Sequence, residues 1–396
     1  MSILKAIWRI DEALDVVRGS IVALERHMSV ALVESVGKIV AEDFYASCPV
    51  PHFRRSTMDG YAVVARYTHG ASETMPAMLS LCDLAPASWA RVLTGDPIPS
   101  AYDAVVMLEY VEELSDGTLL VSRPVAGGEN IMEEGEDISA GSLILRRGVY
   151  ISPRQVGLLA AQGVTAVKVR DFRVAIISTG NEVVPASTRP EVGQMRDINS
   201  HLLTSLCREA GFMVQNCGIV PDDPDALTSA LQGALKNYDA VVLSGGSSAG
   251  AADYTERVLN QVGSPGVLVH GLAVKPGKPT VLGVVEGKAV VGLPGHPLSC
   301  AIMAEMVALP LLRHAAGAIL PQPRLQVAEL SRSLVSAPGR RDFVPIRLEG
   351  RQAIPLLAKS AAIQLLAQSD GLLVVPEDCE GYNAGREVVV QMWRSM

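Results

Sequence analysis

Three loop-like stretches of the chain carry the residue types that bind anions. The first is Ser244-Gly-Gly-Ser-Ser-Ala-Gly250, which runs into Ala251-Ala-Asp-Tyr-Thr255. Its glycines leave backbone amides free to turn toward a bound anion, and its serines add hydroxyl donors. A helix expected near Asp253 would add its positive end. The Gly-Lys-Ser/Thr of a Walker A loop does not follow. A flexible strand–helix connection accounts for the composition equally well; a place at the end of a parallel strand favours the anion site. The second stretch is Lys275-Pro-Gly-Lys-Pro279. Two prolines and a glycine stiffen the turn, which lowers the entropy cost of holding two ammonium groups together. Adjacent like charges repel unless an anion shares them, so a tetrahedral dianion or phosphate would fit. The competing reading is a solvated surface turn. The third stretch, Leu293-Pro-Gly-His-Pro-Leu-Ser299, enters a helix expected over Cys300 to Leu312. Ser299 can meet an anion at the helix start. His296 can be a ligand or a base, though a lone loop histidine is more often neither.

Carboxylates recur beside these loops. Glu182 follows Thr179-Gly180, Asp222 and Asp223 follow a second expected strand, and Asp253 follows a third. Beyond consecutive parallel strands they should converge on one edge, where a divalent cation or basic groups make them tolerable. Mg²⁺ bridging a phosphorylated substrate would do this. The alternative is N-capping of the next helices, which suits Asp223 and Asp253. Asp137 sits in Gly135-Glu-Asp, and Asp59 in Ser56-Thr-Met-Asp-Gly-Tyr61. Asp59-Gly60 is a turn signal on its own, and Arg54 and Arg55 beside it read equally as a solvated pair.

The elements that must position these residues alternate most clearly over residues 172–317. Phe172 to Ser178, Phe212 to Val220 and Asp239 to Ser244 read as strands. A helix capped by Asp197 or Asn199 and a helix over Pro224 to Lys236 lie between them, and an apolar hairpin over Thr280 to Gly292 turns at Glu286-Gly287. Such alternation predicts an α/β domain with a mostly parallel sheet that binds ligands at its C-terminal strand ends. Residues 48–137 are short Val/Leu runs broken by Pro, Gly, Ser and Asp, and predict an inserted β-rich domain. Residues 1–47 and 138–171 predict an elongated, helical and mixed first domain that the insertion interrupts. Ile10, Leu14, Val17 and Ile21 recur at helical spacing there, as do Val30, Leu32, Val36 and Ile39. Ser152 and Pro153 open a helix that ends near Gly163. Residues 318–396 predict a last β-rich domain. The expected class is therefore multidomain α/β.

Composition narrows the function. A length of 396 residues calls for several domains, and 48% hydrophobic with 19% charged residues supports folded cores. Lys plus Arg number 34 against 42 Asp plus Glu, a net charge of -8, which argues against non-specific nucleic-acid binding. Six cysteines at 48, 82, 207, 217, 300 and 379 form no C-x-x-C pair and read as reduced cytosolic thiols. The first residues carry Asp11, Glu12 and Asp15 where a signal peptide needs an apolar run. The most apolar stretch, Leu298 to Leu312, holds Glu305 and Pro310, so no membrane span is expected. A cytoplasmic protein is the resulting expectation.

Taken together the motifs resemble the MoeA family of molybdopterin molybdenumtransferases. Carrying the resemblance are Ser56-Thr-Met-Asp-Gly-Tyr-Ala-Val63, Leu93-Thr-Gly95 with Asp103-Ala-Val-Val106, and Gly128-Glu-Asn130 with Gly135-Glu-Asp137. Ser178-Thr-Gly-Asn-Glu182, Asp197-Ile-Asn199, Ser244-Gly-Gly246, Lys275-Pro-Gly-Lys-Pro279 and Leu293-Pro-Gly-His-Pro297 continue it in family order. The C-terminal part of gephyrin shares this plan. The resemblance implies an elongated homodimer of four-domain subunits that inserts molybdate into adenylylated molybdopterin, with Mg²⁺-dependent release of AMP. It implies that Lys275, Lys278 and Ser299, with Arg340 and Ser360 from the last domain, hold molybdate. It places Thr179, Gly180, Ser244, Gly245, Gly246, Ser247, Pro294 and Pro297 on the pterin and nucleotide phosphates, and Glu182, Asp222 and Asp253 on the metal edge. Asp59 and Thr94 match residues that a β-rich domain presents to the dimer partner's site, and Asp137 matches a functional acid. Beyond the second copy, the implied partners are the adenylyltransferase of the same pathway and acceptor molybdoenzymes.

The chain departs from the family pattern at four places. Gly245-Gly-Ser-Ser-Ala-Gly250 replaces Gly-Gly-Val-Ser-Val-Gly, His296 replaces Asn, Asn181 replaces Asp, and Met132 replaces a common Arg. None removes a lysine or a metal-edge carboxylate. Two other functions stay open: molybdopterin adenylyltransferase, which shares the α/β fold, and a non-catalytic scaffold that uses its last domain on a protein partner.

Overall fold

Apolar residues alternate between the two faces of one sheet and build the core around it. The computed structural model describes residues 7–80, 88–245, 251–357 and 363–393, with the backbone alone at 251–254. Six strands form the sheet: β1 (Arg173–Thr179), β2 (Met213–Val220), β3 (Ala240–Ser244), β4 (Pro265–His270), β5 (Val281–Val285) and β6 (Lys288–Leu293). Their order is β2-β1-β3-β6-β5-β4. The first four positions run parallel, and the β5 hairpin adds antiparallel pairs at the other edge. Val174, Ile176, Ala240, Val242 and Val291 pack into one core with helices Ile10–Arg18, Asn199–Glu209 and the helical run 297–315. Ala175, Ile177, Val241, Leu243 and Val290 face helices Pro224–Asn237 and Ala251–Val262 on the other side. A parallel sheet needs both faces covered, and this period-two split supplies it.

By length and composition Pro297–Ala315 could cross a membrane, yet 78% of that window is buried inside the fold. It is a core element. It contains a π-turn at Ala304–Ala308 between two α-helical pieces.

The chain divides into two compact units: residues 1–42, 147–156 and 166–396 in one, and 43–146 with 157–165 in the other. The first unit holds the central sheet and a C-terminal barrel. Strands Arg341–Glu349, Gln352–Pro355, Leu325–Leu330, Glu387–Met392 and Gly371–Val375 pair in that order, and the last returns to pair with the first. Closure removes the free edges that small sheets must otherwise protect. The second unit carries two three-stranded sheets. Gly60–Val63 lies between Trp89–Val92 and Ala104–Met107, and Leu119–Val121 lies between Ala77–Leu79 and Val111–Glu113.

One helical expectation fails. Residues 27–31 form a strand paired with Ala166–Arg170, followed by the single 3-10 turn Leu32–Glu34. Val30 and Leu32 are buried in this extended arrangement and Val36 is exposed. β-branched residues favour strands when a partner is at hand, and the partner here lies some 140 positions away, beyond the reach of local periodicity. The helix expected from Ser152 and Pro153 forms, over Pro153–Ala161. Ser152 N donates to Gln155 Oε1 at 2.7 Å and Gln155 N to Ser152 Oγ at 3.4 Å, a capping box at the start of Pro153–Ala161.

Candidate active site

Sheet register sets four loops side by side. Thr179 of β1 pairs with Val220 of β2, Ser178 with Ser244 of β3, and Ser244 with Leu293 of β6. The chain moves outward from β1 to β2 and returns past β1 to β3, so strand order reverses between β1 and β3. Open α/β sheets bind ligands in the crevice at such a reversal. Hydrogen bonds knit the loops together. Asp222 N donates to Asn181 Oδ1 at 3.1 Å, Gly245 N to Leu293 O at 3.3 Å, and Asn199 Nδ2 to Gly295 O at 2.8 Å. Gly245 has φ +107, and a Cβ there would lie 2.1 Å from the Thr179 carbonyl oxygen. Only glycine lets the two loops approach this closely. Asp197 accepts from Ser178 Oγ at 2.9 Å and from Ser200 N at 3.0 Å, so the expected cap also buttresses the end of β1.

Above these loops lies a cleft of about 1430 Å³ within the first unit. Thr179, Glu182, Asp222, Ser244 and Gly245 line its sheet side, with Pro294, His296, Pro297 and Ser299 beside them. Lys275, Lys278 and Arg340 line it as well. Gly180 is the backbone joint between Thr179 and Glu182, at φ +144. Thr179 Oγ1 and Asn199 Oδ1 are buried without a hydrogen-bond partner among the described residues. Buried polar atoms of this kind need a partner, and a ligand in the cleft would supply one. Glu182 and Asp222 are exposed to the cleft, and neither pairs with a cation among the described residues. Asp223 caps Pro224–Asn237, its Oδ1 accepting from Ala226 N at 2.8 Å. No group of three metal-capable side chains converges among the described residues. Gly246, Ser247 and Ser360, and the side chain of Asp253, lie outside the described residues.

The lysine turn is anchored from two sides. Gly277 has φ +115, and a Cβ there would lie 2.4 Å from Met303 Cγ, so the turn sits flush on the core helix. Val274–Lys275 pairs in parallel with the first strand of the barrel, Val274 opposite Arg341 and Lys275 opposite Asp342. Asp342, 3% exposed, holds Lys275 Nζ at 3.5 Å and Arg340 Nε at 3.4 Å. Cys300 adjoins Ser299, with Sγ 3.9 Å from Ser244 Oγ; burial pushes its thiol up to about 12.

The remaining candidates lie in the second unit. Asp59 Oδ1 accepts from Thr94 N at 2.7 Å and from Thr94 Oγ1 at 2.8 Å. These bonds, backbone first, hold the Asp59 carboxyl below the usual carboxylate range. Asp137 is exposed, and its backbone N donates to Val50 O at 3.1 Å.

Comparison with known proteins covers nearly the whole chain. Residues 8–163 match the MoeA N-terminal region (domains I and II), 175–314 a probable molybdopterin-binding domain, and 327–393 the MoeA C-terminal region (domain IV). Molybdopterin molybdenumtransferase 2 of Mycobacterium tuberculosis is 32% identical over 388 residues, covering 93% of this chain and 95% of that protein. The molybdopterin molybdenumtransferase of Staphylococcus aureus is 30% identical over 385 residues, covering 93% and 91%. The chain belongs to the MoeA family. Crystal structures of molybdopterin biosynthesis MoeA proteins from Pyrococcus horikoshii cover 98–99% of the chain, with TM-scores of 0.81 and 0.86 at 36% and 30% identity.

Within this MoeA chain, three cleft residues escaped the sequence reading. Arg9 reaches the cleft because Ala273 N donates to Trp8 O at 2.8 Å, adding the N-terminal segment alongside the lysine strand. Asn199 was legible only as a helix cap. Asp342 sits in Gly339-Arg-Arg-Asp-Phe343, where a carboxylate after two arginines reads as surface charge; its burial follows from barrel closure.

Proposed function

We propose that the protein is a molybdopterin molybdenumtransferase of molybdenum cofactor biosynthesis. It joins molybdate to adenylylated molybdopterin and releases AMP. The observation that carries this reading is one cleft that combines a phosphate-type switch-point edge (Thr179, Ser244, Gly245) with a cationic wall (Lys275, Lys278, Arg340). Molybdate is a tetrahedral dianion, and cations and hydroxyls on stiff loops suit it. Lys275, Lys278, Ser299 and Arg340, with Ser360, are the proposed molybdate ligands. The reaction needs no side-chain nucleophile. A molybdate oxygen attacks the adenylate phosphorus and the phosphoanhydride to the pterin phosphate breaks. That Mo–O bond then breaks as the pterin's sulfurs take the molybdenum, so the oxygen leaves on AMP. The protein's task is positioning and charge stabilisation. Glu182 and Asp222, exposed to the cleft and without cationic partners among the described residues, fit Mg²⁺, which is commonly held by one or two carboxylates plus substrate phosphates. When bound there, Mg²⁺ would neutralise phosphate oxygens. Asp253 completes the proposed set.

The reading extends to a four-domain subunit with its first domain interrupted by residues 48–137, working as a cytoplasmic homodimer. Asp59 and Thr94, already bonded to each other, would serve the partner's site, and Asp137 would act with them. The test is AMP release from adenylylated molybdopterin and Mg²⁺, measured with and without molybdate. Molybdate-dependent release with metal in the pterin product supports insertion. Release that ignores molybdate sinks it, and retained pterin binding without release points to a scaffold.

A further inference from the structure

Behind the cationic wall stands a carboxylate that contacts two of its members at once. Asp342 is 3% exposed, and its two oxygens divide the work: Oδ2 accepts a long hydrogen bond from Lys275 Nζ at 3.5 Å, and Oδ1 lies 3.4 Å from Arg340 Nε, an ion-pair distance without hydrogen-bond geometry. A buried charge persists only when paired, so this carboxylate depends on the two cations as much as they depend on it. The arrangement is fixed by backbone. Lys275 is register-paired with Asp342, and Arg341 N donates to Ala273 O at 2.8 Å, locking the short lysine strand to the barrel. Arg340 Nε is buried and turned inward, while the side chain as a whole stays 42% exposed; Lys275 stays 55% exposed. Lys275 is thus tethered by a hydrogen bond and Arg340 by charge attraction, and both stay open on the other side. Lysine and arginine lose much rotamer freedom when a ligand fixes them, and a tether that orders them beforehand lowers that cost. The carboxylate also trims the charge. On the wall formed by Lys275, Lys278 and Arg340, three cations against one buried carboxylate leave about two positive charges, the charge that one dianion cancels.

We propose that Asp342 is the positioning residue of the oxyanion site, holding Lys275 and Arg340 in a preset fork that receives a tetrahedral dianion. This deepens the functional reading above and rests on its assignment of Lys275 and Arg340 to molybdate.

The test uses the full-length chain and measures KM for molybdate and for adenylylated molybdopterin separately. Wild type is measured first, and molybdate-independent release there refutes the functional reading itself. With wild-type dependence established, Asp342→Asn is expected to raise the molybdate KM about tenfold, with the pterin KM within about twofold of wild type. Asp342→Glu, which keeps the charge but displaces it by one methylene, is expected to recover only part of that loss, leaving the molybdate KM about threefold above wild type and the pterin KM unchanged. An Asn variant with wild-type molybdate KM overturns the assignment. So does an equal rise in both KM values, which marks Asp342 as a packing element. Should the Asn variant fail to fold, the Glu variant decides alone: a molybdate-selective KM shift supports the assignment, and a shift in neither or in both overturns it.

Discussion

Lys275 and Lys278 share a turn but differ in what holds them. Lys275 leans on Asp342, whereas Lys278 is exposed and has no ion-pair partner among the described residues. Both face the same cleft, so Lys275→Ala and Lys278→Ala should each cut molybdate-dependent AMP release about 10²-fold while pterin binding stays near wild type. Turnover assays beside pterin-binding titrations check this, and unchanged turnover in both variants removes the assigned site. Cys300 gives a contrasting expectation. Burial holds its thiol at about 12, so at pH 7 to 8 it carries almost no thiolate. Mass spectrometry after brief alkylation of the native protein should find Cys300 unmodified and Cys217, which is exposed, labelled. Early modification of Cys300 would show that the helix start opens readily.

At the scale of elements, glycine placement decides how close the loops come. Gly245→Ala puts a methyl group against the Thr179 carbonyl at a backbone angle that suits glycine. It should lower stability by about 1–3 kcal/mol, read as a drop in Tm, and weaken pterin binding with it. A wild-type melting curve with intact binding would contradict the close approach. The same strands were the most legible part of the sequence. Continuous apolar runs marked β1, β3 and the β5–β6 hairpin, whose turn at Glu286-Gly287 adopts positive φ at both positions. Asp223 announced its cap. What periodicity could not reveal was long-range pairing: the strand at 27–31 needs residues 166–170, and the burial of Asp342 needs closure of a five-stranded ring. The cleft followed the same division. Residues at strand ends were readable because topology aligns them, while Arg9 and Asp342 arrive from distant segments that no local motif ties to the loops.

At the scale of the whole molecule, charged residues far apart in sequence fasten the first unit. Arg26 bonds to Asp171 at 2.9 Å and to Asp239 at 2.7 Å, and Arg173 bonds to Asp171 at 3.0 Å. Burial pulls the Asp171 carboxyl up, yet hydrogen bonds from Arg173 and Arg26 outweigh it and leave the net value below the ordinary 3.8. A lowered carboxyl stabilises the fold above its ordinary value and loses that contribution as pH falls through the folded one. Urea midpoints should therefore hold steady near neutrality and fall below about pH 4, and Asp171→Asn should flatten that acid limb; an unchanged limb would place the acid sensitivity elsewhere. Chelation of divalent cations should abolish AMP release and leave the melting curve nearly unchanged, since the proposed Mg²⁺ carboxylates are exposed. A further consequence concerns the order of synthesis. Asp11 meets Arg341 across 330 residues, so the strand that supplies Arg341 is translated long after the helix that needs it. At roughly 5–20 residues per second, the N-terminal helix waits about 17–66 s on the ribosome for that partner. The second unit, nearly continuous from 43 to 165, has most of its own contacts available long before then. Nascent chains should thus carry a folded middle between unsatisfied ends, and the interval in which the apolar face of the first helix stands open is the moment when a chaperone would matter most.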